Sequence, residues 1–196
     1  HWVTKSFFLQ IMNFEELAAF ACDMTGEMMT LSKDGEEILT ADLASEPGIR
    51  LVNEFFTALF ADQLGGLPQL TRVNEGAFTD TKAPWISLGG TASVDRFGAA
   101  TGTAPDARRF RLNIMLDTDT PFEEASLVGK EVKLGEAVLR VEAPVGRCAA
   151  IDVDPATAAR GPHYLPLMQR KFGHTDLGIF ARVTQGGSIS LGDKIP

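Results

Sequence analysis

The chain has 196 residues, of which 44% are hydrophobic and 22% are charged, so it holds enough apolar material for a globular core and is not a disordered protein. Its 26 acidic and 18 basic residues give a net charge of −8, which argues against a nucleic-acid partner and against an anionic membrane surface. No run approaches the roughly 20 apolar residues of a membrane helix. Two cysteines are too few for a disulfide framework or an iron–sulfur cluster, so we expect a reducing, cytoplasmic location.

The first 70 residues predict helices and one hairpin. A capping-box glutamate, a Gly-containing turn and a proline at the start of a helix are the local signals. The elements predicted in chain order are a helix capped by Asn13 with an apolar stripe that reaches Ala21, a hairpin of strands 27–32 and 36–40 around Lys33-Asp34-Gly35, and a helix opened by Pro47 that stops near Gly65.

From about residue 85 the pattern changes to short strands joined by Gly-containing turns, which favours an antiparallel barrel or sandwich over a parallel sheet. The fold class expected is therefore mainly β with α (α+β). The predicted elements are strand 86–88, a short helix 92–97, strands 110–116, 131–134, 137–143 and 148–153, a helix 165–172 ended by Gly173, and a last hairpin of 177–184 with 188–191.

The segment Arg108-Arg109-Phe110-Arg111-Leu112-Asn113 offers the first candidate site. In a strand, alternate residues share a face, so Arg109, Arg111 and Asn113 would lie together. Two guanidinium groups and an amide suit a planar or anionic, oxygen-rich ligand. The alternative is a solvated strand face whose arginines pair with nearby carboxylates such as Glu123 and Glu124.

Cys148 is the second candidate. It follows Arg147, whose charge favours a thiolate, the form of cysteine that acts as nucleophile and as soft metal ligand. The alternative is a small buried hydrophobic residue, which is also our interpretation of Cys22. His163 and His174 lack metal-ligand spacing and are expected in exposed loops.

Several motifs then occur in the order seen in MOSC domains, the C-terminal domains of molybdenum cofactor sulfurases, which are also present in amidoxime-reducing molybdenum proteins. The resemblance covers residues 84–196, and residues 1–83 resemble the remainder of the α+β domain that precedes it. The opening strand of that domain, with its Tyr-Pro-(Val/Ile)-Lys-Ser-like motif, is absent from this sequence, so we expect a truncated start. The motifs are Ile86 to Asp95, Arg109 to Asn113, Pro121-Phe122-Glu123-Glu124, Val128-Gly129-Lys130 to Gly135-Glu136, Arg147-Cys148, Val153 to Thr157, Asp176 to Phe180 and Gly187 to Asp193.

The resemblance implies a Greek-key-like, seven-stranded β-barrel with short helices, preceded by a small α+β portion. It also implies that Cys148 is a molybdenum ligand or carries sulfur as a persulfide. Arg111 and Asn113, with Arg109 and Arg147, match residues near the pterin phosphate of a molybdenum–molybdopterin cofactor. No bound cofactor is expected if the opening strand is missing, and pyridoxal phosphate binding is a further family-level property.

Three functions follow as hypotheses. The first is a molybdopterin-binding oxidoreductase that reduces N-oxygenated substrates with Cys148 on the metal and receives electrons from a partner reductase. The second is a sulfur carrier that receives sulfur on Cys148 from a cysteine desulfurase. The third is a noncatalytic module that binds a small ligand and merely buries Cys148.

Overall fold

The structure, a computed structural model, describes residues 5–72, 81 and 83–195. It has the α+β, mainly β character predicted from the sequence, with eight strands in two sheets among these residues. We refer to residues 5–72 as the N-terminal part and to residues 83–195 as the C-terminal part. Among the helices of the described ranges, none has the length and apolar character needed to cross a lipid bilayer.

The N-terminal part is a three-stranded antiparallel sheet covered on one face by a helix. Ser45 caps this helix, because its side chain accepts a hydrogen bond from Gly48 N–H at 3.1 Å. Val52 packs from the helix onto the sheet, where it joins Met29, Leu31, Leu39 and Ala41 in one apolar cluster. The elements are two short 3-10 helices, Lys5–Phe7 and Glu15–Ala19, then β1 (Phe20–Thr25), β2 (Met28–Lys33), β3 (Glu36–Asp42) and α1 (Glu46–Leu59).

The C-terminal part is a five-stranded sheet that curls into a half-barrel, with strand order β5-β4-β8-β7-β6. Strands β4 and β5 are parallel and α2 connects them, whereas the other neighbours are antiparallel. Three register shifts between β7 and β8 mark bulges, which increase local twist. The elements are β4 (Ile86–Gly90), α2 (Thr91–Thr101), β5 (Ile114–Leu116), β6 (Glu131–Leu134), β7 (Ala137–Gly146), α3 (Tyr164–Phe172) and β8 (Asp176–Gln185), with 3-10 helices at Ala107–Phe110, Glu123–Leu127 and Ala149–Asp152.

Two apolar clusters fill the C-terminal part. One lies within the sheet and includes Leu88, Val141 and Ile179. The other lies between the sheet and the two helices, where the ring of Phe97 makes edge-to-face contacts with Phe110 and Tyr164 at centroid distances of 5.0 and 5.3 Å. The second cluster therefore anchors the 3-10 helix Ala107–Phe110 beside the start of α3.

Several predicted elements are confirmed and others are wrong. The hairpin, α1 and α3 occur as expected, and α3 ends at Gly173 with a φ of 82°. The predicted strand 110–116 is instead a 3-10 helix followed by only three strand residues, and the predicted strand 148–153 is a 3-10 helix. The helix expected after Asn13 is one short 3-10 helix followed by β1, and residues 188–191 form no strand.

The seven-stranded barrel implied by the resemblance corresponds to five strands in the C-terminal part that the structure describes. Pairing with β2 explains why β1 is a strand although its apolar spacing suggested a helix. Contacts between residues distant in sequence, described below, determine the conformations of 107–113 and 147–153.

Candidate functional site

Two segments of the C-terminal part meet beside the sheet: residues 107–113, which we call the Arg109 segment, and residues 147–160, which we call the Cys148 segment. Leu112 fixes the first segment on the sheet, because its side chain lies against Gly89 and Gly178. A Cβ at Gly89 would collide with Leu112 Cδ1, and one at Gly178 would lie 3.0 Å from Leu112 Cδ2. Two glycines therefore allow the close approach that positions the Arg109 segment.

Arg109 lies inside the protein, with only 3% of its surface exposed. Its Nη1 donates to the carbonyl oxygens of Ile151 at 2.9 Å and Val153 at 3.2 Å, and its Nη2 donates to Asp154 Oδ2 at 2.8 Å. The guanidinium also lies 5.6 Å from the ring centroid of Tyr164. These bonds hold the turn that follows Cys148, so both terminal nitrogens of Arg109 are engaged by the chain itself.

Arg147 forms a similar internal connection. Its Nη2 donates to Phe110 O at 2.8 Å, its Nη1 donates to Leu177 O at 3.2 Å, and its backbone N–H donates to Thr175 O at 3.0 Å. The residue is half-buried, and its guanidinium lies 5.7 Å from the ring centroid of Phe110. Arg147 therefore holds the residue before Cys148 to the Arg109 segment and to the start of β8.

Arg111 differs from these two arginines because it remains exposed to solvent. Its backbone has a φ of 51°, a left-handed conformation that is uncommon outside glycine, and its Nη1 donates to Arg109 O at 2.9 Å and to Ala150 O at 3.2 Å. Partial burial of the guanidinium is the main effect on the pKa of Arg111 and lowers it, and the charge of Arg109 lowers it as well. A negative charge at Cys148 would act in the opposite direction, but the net pKa lies below the ordinary value. Arg111 thus contacts the chain two residues after Cys148.

Cys148 lies half-buried between the end of β7 and the 3-10 helix Ala149–Asp152. Its carbonyl accepts the Ile151 N–H at 3.2 Å, which starts that helix, and the flanking residues are held by Arg109 and Arg147 as described. The fold therefore holds Cys148 at a turn that is fixed on both sides, and Arg111 donates to Ala150 O within that turn. Cys22, in contrast, is exposed on β1, so the prediction that it packs in a core is wrong.

Asn113 makes its hydrogen bonds to β4, and the predicted strand that would have aligned it with Arg111 does not form. Its side-chain Oδ1 accepts hydrogen bonds from Ser87 N–H and Ser87 Oγ, both at 2.9 Å, and its backbone N–H donates to Ser87 O at 3.0 Å. Asn113 is exposed, and its contacts fasten the end of the Arg109 segment to β4.

A cavity of about 820 Å³ lies next to these segments, between the N-terminal and C-terminal parts. Arg111 lines it and also donates to Ala150 O, so the cavity lies next to the Cys148 segment, although Cys148 itself is not among the lining residues. The positive groups Lys33 and Arg108 and the negative groups Glu16 and Asp34 also reach it. Its lining residues are Ile11, 16–21, Lys33, Asp34, Arg108, Arg111 and 155–159.

The loop 155–159 also lines the cavity, although none of its residues was among the candidate site residues predicted from the sequence. Asp154 orders it, since Oδ1 accepts the N–H groups of Ala156 and Thr157, each at 3.0 Å. Burial raises the pKa of Asp154, but these hydrogen bonds and the positive charge of Arg109 lower it by a larger amount. The net pKa of Asp154 therefore lies below its ordinary value. The sequence Asp-Pro-x-Thr was a turn signal that could have indicated this loop.

Residues 78–196 match the model of the MOSC domain. The chain belongs to the MOSC domain family. Its curated relatives include molybdenum cofactor sulfurases of Drosophila grimshawi, 32% identical over 117 residues, and Drosophila mojavensis, 30% identical over 137 residues. These matches cover 59% and 65% of this chain but only 14% and 16% of the relatives, so the chain spans a small fraction of their length.

The MOSC domain model matches the region that contains both the Arg109 segment and the Cys148 segment. Within the described ranges, no three His, Cys, Asp or Glu side chains gather into a group that could hold a metal ion. A metal bound near Cys148 would therefore need most of its ligands from a cofactor or from solvent.

Proposed function

We propose that this MOSC domain chain binds the molybdenum cofactor in the cavity between its two parts, with Cys148 as the protein ligand to molybdenum. The observation that carries the proposal is the position of Arg111, which lines the cavity and also donates a hydrogen bond to the carbonyl of Ala150, two residues after Cys148. A cysteine in the segment next to a cavity that is lined by a guanidinium would suit a ligand that combines a soft metal with an anionic group.

The residues present fit such a group. Arg111, Arg108 and Lys33 supply positive charge to the cavity wall, although Arg108 shares its charge with Asp106 through a 2.7 Å ion pair. An 820 Å³ cavity falls within the range of about 300–1,000 Å³ that is typical of sites for cofactors and small ligands. When bound, the cofactor would supply oxygen-atom transfer, and an N-oxygenated compound would be the substrate reduced.

The chain's own residues would prepare the site. Arg111 would bind the anionic end of the ligand. Arg109 and Arg147 would act as positioning residues, because their hydrogen bonds hold the backbone on both sides of Cys148. A reductase partner would supply electrons, since the two cysteines cannot form an iron–sulfur cluster.

Incubation of the 196-residue chain with molybdopterin-bound molybdate, followed by gel filtration and elemental analysis, tests the proposal. We expect molybdenum to elute with the unaltered chain and with Cys22→Ser, a matched control that removes the other cysteine. Cys148→Ser should lose the metal. Equal molybdenum in Cys148→Ser and Cys22→Ser would contradict a ligand role for Cys148.

A second candidate function is sulfur transfer, favoured by the name of the relatives and by the position of Arg111 at the turn that carries Cys148. The Cys148 thiolate would attack the outer sulfur of a cysteine desulfurase persulfide. A new sulfur–sulfur bond would form on Cys148 while the desulfurase cysteine leaves as a thiolate, and Arg111 would stabilise the persulfide anion on Cys148.

Mass spectrometry distinguishes the two functions. After incubation with a cysteine desulfurase and cysteine, a sulfur carrier should gain the mass of one sulfur atom on Cys148, and Arg111→Ala should gain it more slowly. Cys22, which is also exposed to solvent, serves as the internal control for nonspecific sulfuration. A chain that acquires neither molybdenum nor sulfur on Cys148 would fit the noncatalytic binding module instead.

A further inference from the structure

Arg160 connects the two walls of the cavity. Its Nη2 donates to Glu15 Oε2 at 2.7 Å, to Met12 O at 3.0 Å and to Ile11 O at 3.5 Å. Ile11 itself lines the cavity, and residues 155–159, directly before Arg160, form the facing wall. One guanidinium therefore joins the ends of both walls.

On the C-terminal side, Arg160 is part of a rigid base. It forms an isolated antiparallel bridge with Val153, and inside this bridge Asp154 N–H donates to Ala159 O at 2.9 Å. Buried Arg109 holds the same base by its bonds to Val153 O and Asp154. Arg160 thus extends from the element that carries Cys148.

On the N-terminal side, the turn that Arg160 binds belongs to the three-stranded unit. Phe14 N–H donates to Gln10 O at 2.9 Å, which closes the turn, and the Phe14 ring lies 4.8 Å from the ring of Phe60 at the end of α1. Among the described elements, no helix or strand of the N-terminal part packs extensively on one of the C-terminal part. Sparse packing of this kind permits relative motion of two parts.

We propose that the ion pair of Arg160 and Glu15 is a strap that holds the N-terminal wall closed over the cavity and slows exchange of the bound ligand. The strap rests on the proposed function only for the identity of that ligand. The Arg160 and Glu15 side chains are 28% and 36% exposed, so solvent can compete with the pair and the strap can open. Reversible opening would let the ligand enter and leave the cavity.

Distance measurements between spin labels test the strap without a ligand. One label occupies native Cys22 on β1 and the other occupies Lys171→Cys at the exposed end of α3, in a chain that also carries Cys148→Ser. We expect one narrow distance distribution in this parent. Arg160→Ala and Glu15→Gln, which break the strap from opposite sides, should each broaden it, and unchanged distributions in both variants would overturn the proposal.

Arg182→Ala is the matched control, because it removes an exposed arginine that forms an ion pair with Glu142 at 3.1 Å within the five-stranded sheet. This variant should keep the narrow distribution. If it broadens the distribution as much as Arg160→Ala does, the effect reflects a general loss of surface charge and the strap is wrong.

Release of molybdopterin from the chain with native Cys148 provides a second measurement. We expect Arg160→Ala and Glu15→Gln to release it about two- to five-fold faster than the unaltered chain, the range set by an exposed ion pair. Equal release rates would overturn the strap even when binding confirms the proposed function. If the unaltered chain binds no molybdopterin, the proposed function fails, and the distance measurement alone decides whether the strap exists.

Discussion

The two parts of the molecule use their arginines and their apolar surface differently. The C-terminal part has two buried clusters and places guanidinium groups inside the protein, where they bind backbone carbonyls around Cys148. The N-terminal part has one cluster under α1, while β1 remains almost wholly exposed. The comparison indicates that the C-terminal part holds Cys148 in a fixed position, and that the N-terminal part mainly supplies a wall of the cavity.

The largest effect expected is that of Arg109→Ala. The change leaves the carbonyls of Ile151 and Val153 without their donor and Asp154 without its ion pair. We expect a loss of about 3 kcal/mol in the free energy of unfolding, measured by urea denaturation.

The neighbouring change Arg108→Ala is the control, since the Arg108 side chain is 68% exposed and pairs only with Asp106 among the described residues. It should leave the free energy of unfolding nearly unchanged. A loss for Arg109→Ala as small as that for Arg108→Ala would contradict the difference between interior and surface arginines, and would restore Arg109 as a candidate contact to the cofactor.

Matched valine substitutions test whether the two parts are separate domains, with the boundary that we propose between residues 83 and 84. Val52 is 2% exposed in the N-terminal cluster and Val141 is fully buried in the five-stranded sheet. Each change to alanine should destabilise its own part by about 1–3 kcal/mol.

In chains that also carry Trp2→Phe, fluorescence of Trp85, whose ring lies 5.9 Å from that of Phe180, reports on the C-terminal part. We expect Val141→Ala to shift the unfolding transition seen by Trp85, and Val52→Ala to leave it nearly unchanged while circular dichroism reports earlier unfolding elsewhere. Equal shifts of the Trp85 transition would show that the parts unfold together.

The left-handed backbone at Arg111 allows structure and function to be separated. Arg111→Gly removes the strain of a Cβ at a φ of 51°, whereas Arg111→Ala retains it. We expect the glycine variant to be about 1 kcal/mol more stable than the alanine variant in urea denaturation, although both lose molybdopterin binding. If Arg111→Gly binds molybdopterin as well as the unaltered chain, Arg111 does not hold the ligand.

The smallest effect expected is a pH dependence at the strap. The hydrogen bond from Arg160 is the main cause that lowers the pKa of Glu15 below its ordinary value of 4.5. The stabilisation of the folded state by the ion pair of Arg160 and Glu15 is therefore complete above pH 4.5. It is lost as the pH falls through the lowered pKa of Glu15. Because the pair is partly exposed, we expect a few tenths of a kcal/mol, measured as the difference between the unaltered chain and Glu15→Gln from pH 6 to about pH 3.

Local signals predicted much of the fold. Ser45 and Pro47 marked the start of α1, Gly173 marked the end of α3, and Lys33-Asp34-Gly35 marked the hairpin turn, because caps and turns depend on the conformational preferences of single residues. The sequence also predicted that Cys148 and three arginines form one region, and the structure brings Arg109, Arg111 and Arg147 around the turn of Cys148.

The different positions of these arginines could not be predicted from the alternation of side chains along a strand. Arg109 binds carbonyls more than 40 positions away, and these contacts favour a 3-10 helix and a left-handed Arg111 over a strand. No local sequence pattern marked Arg160 as important, since its partner Glu15 is 145 positions distant in the sequence. Tertiary contacts of this range are not encoded in any local window, so the strap and the cavity became visible only in the folded chain.

The parallel pairing of β4 and β5 has a consequence for the kinetics of folding. The chain must complete the crossover through α2 before β5 pairs, and Arg109 then has to find carbonyls 42 and 44 positions later. Closure of loops of this length is slow compared with the formation of a helix or a hairpin. We therefore expect the environment of Cys148 to form late in refolding, after the tight hairpin of β6 and β7, so that the thiol is most open to oxidation in the newly made chain.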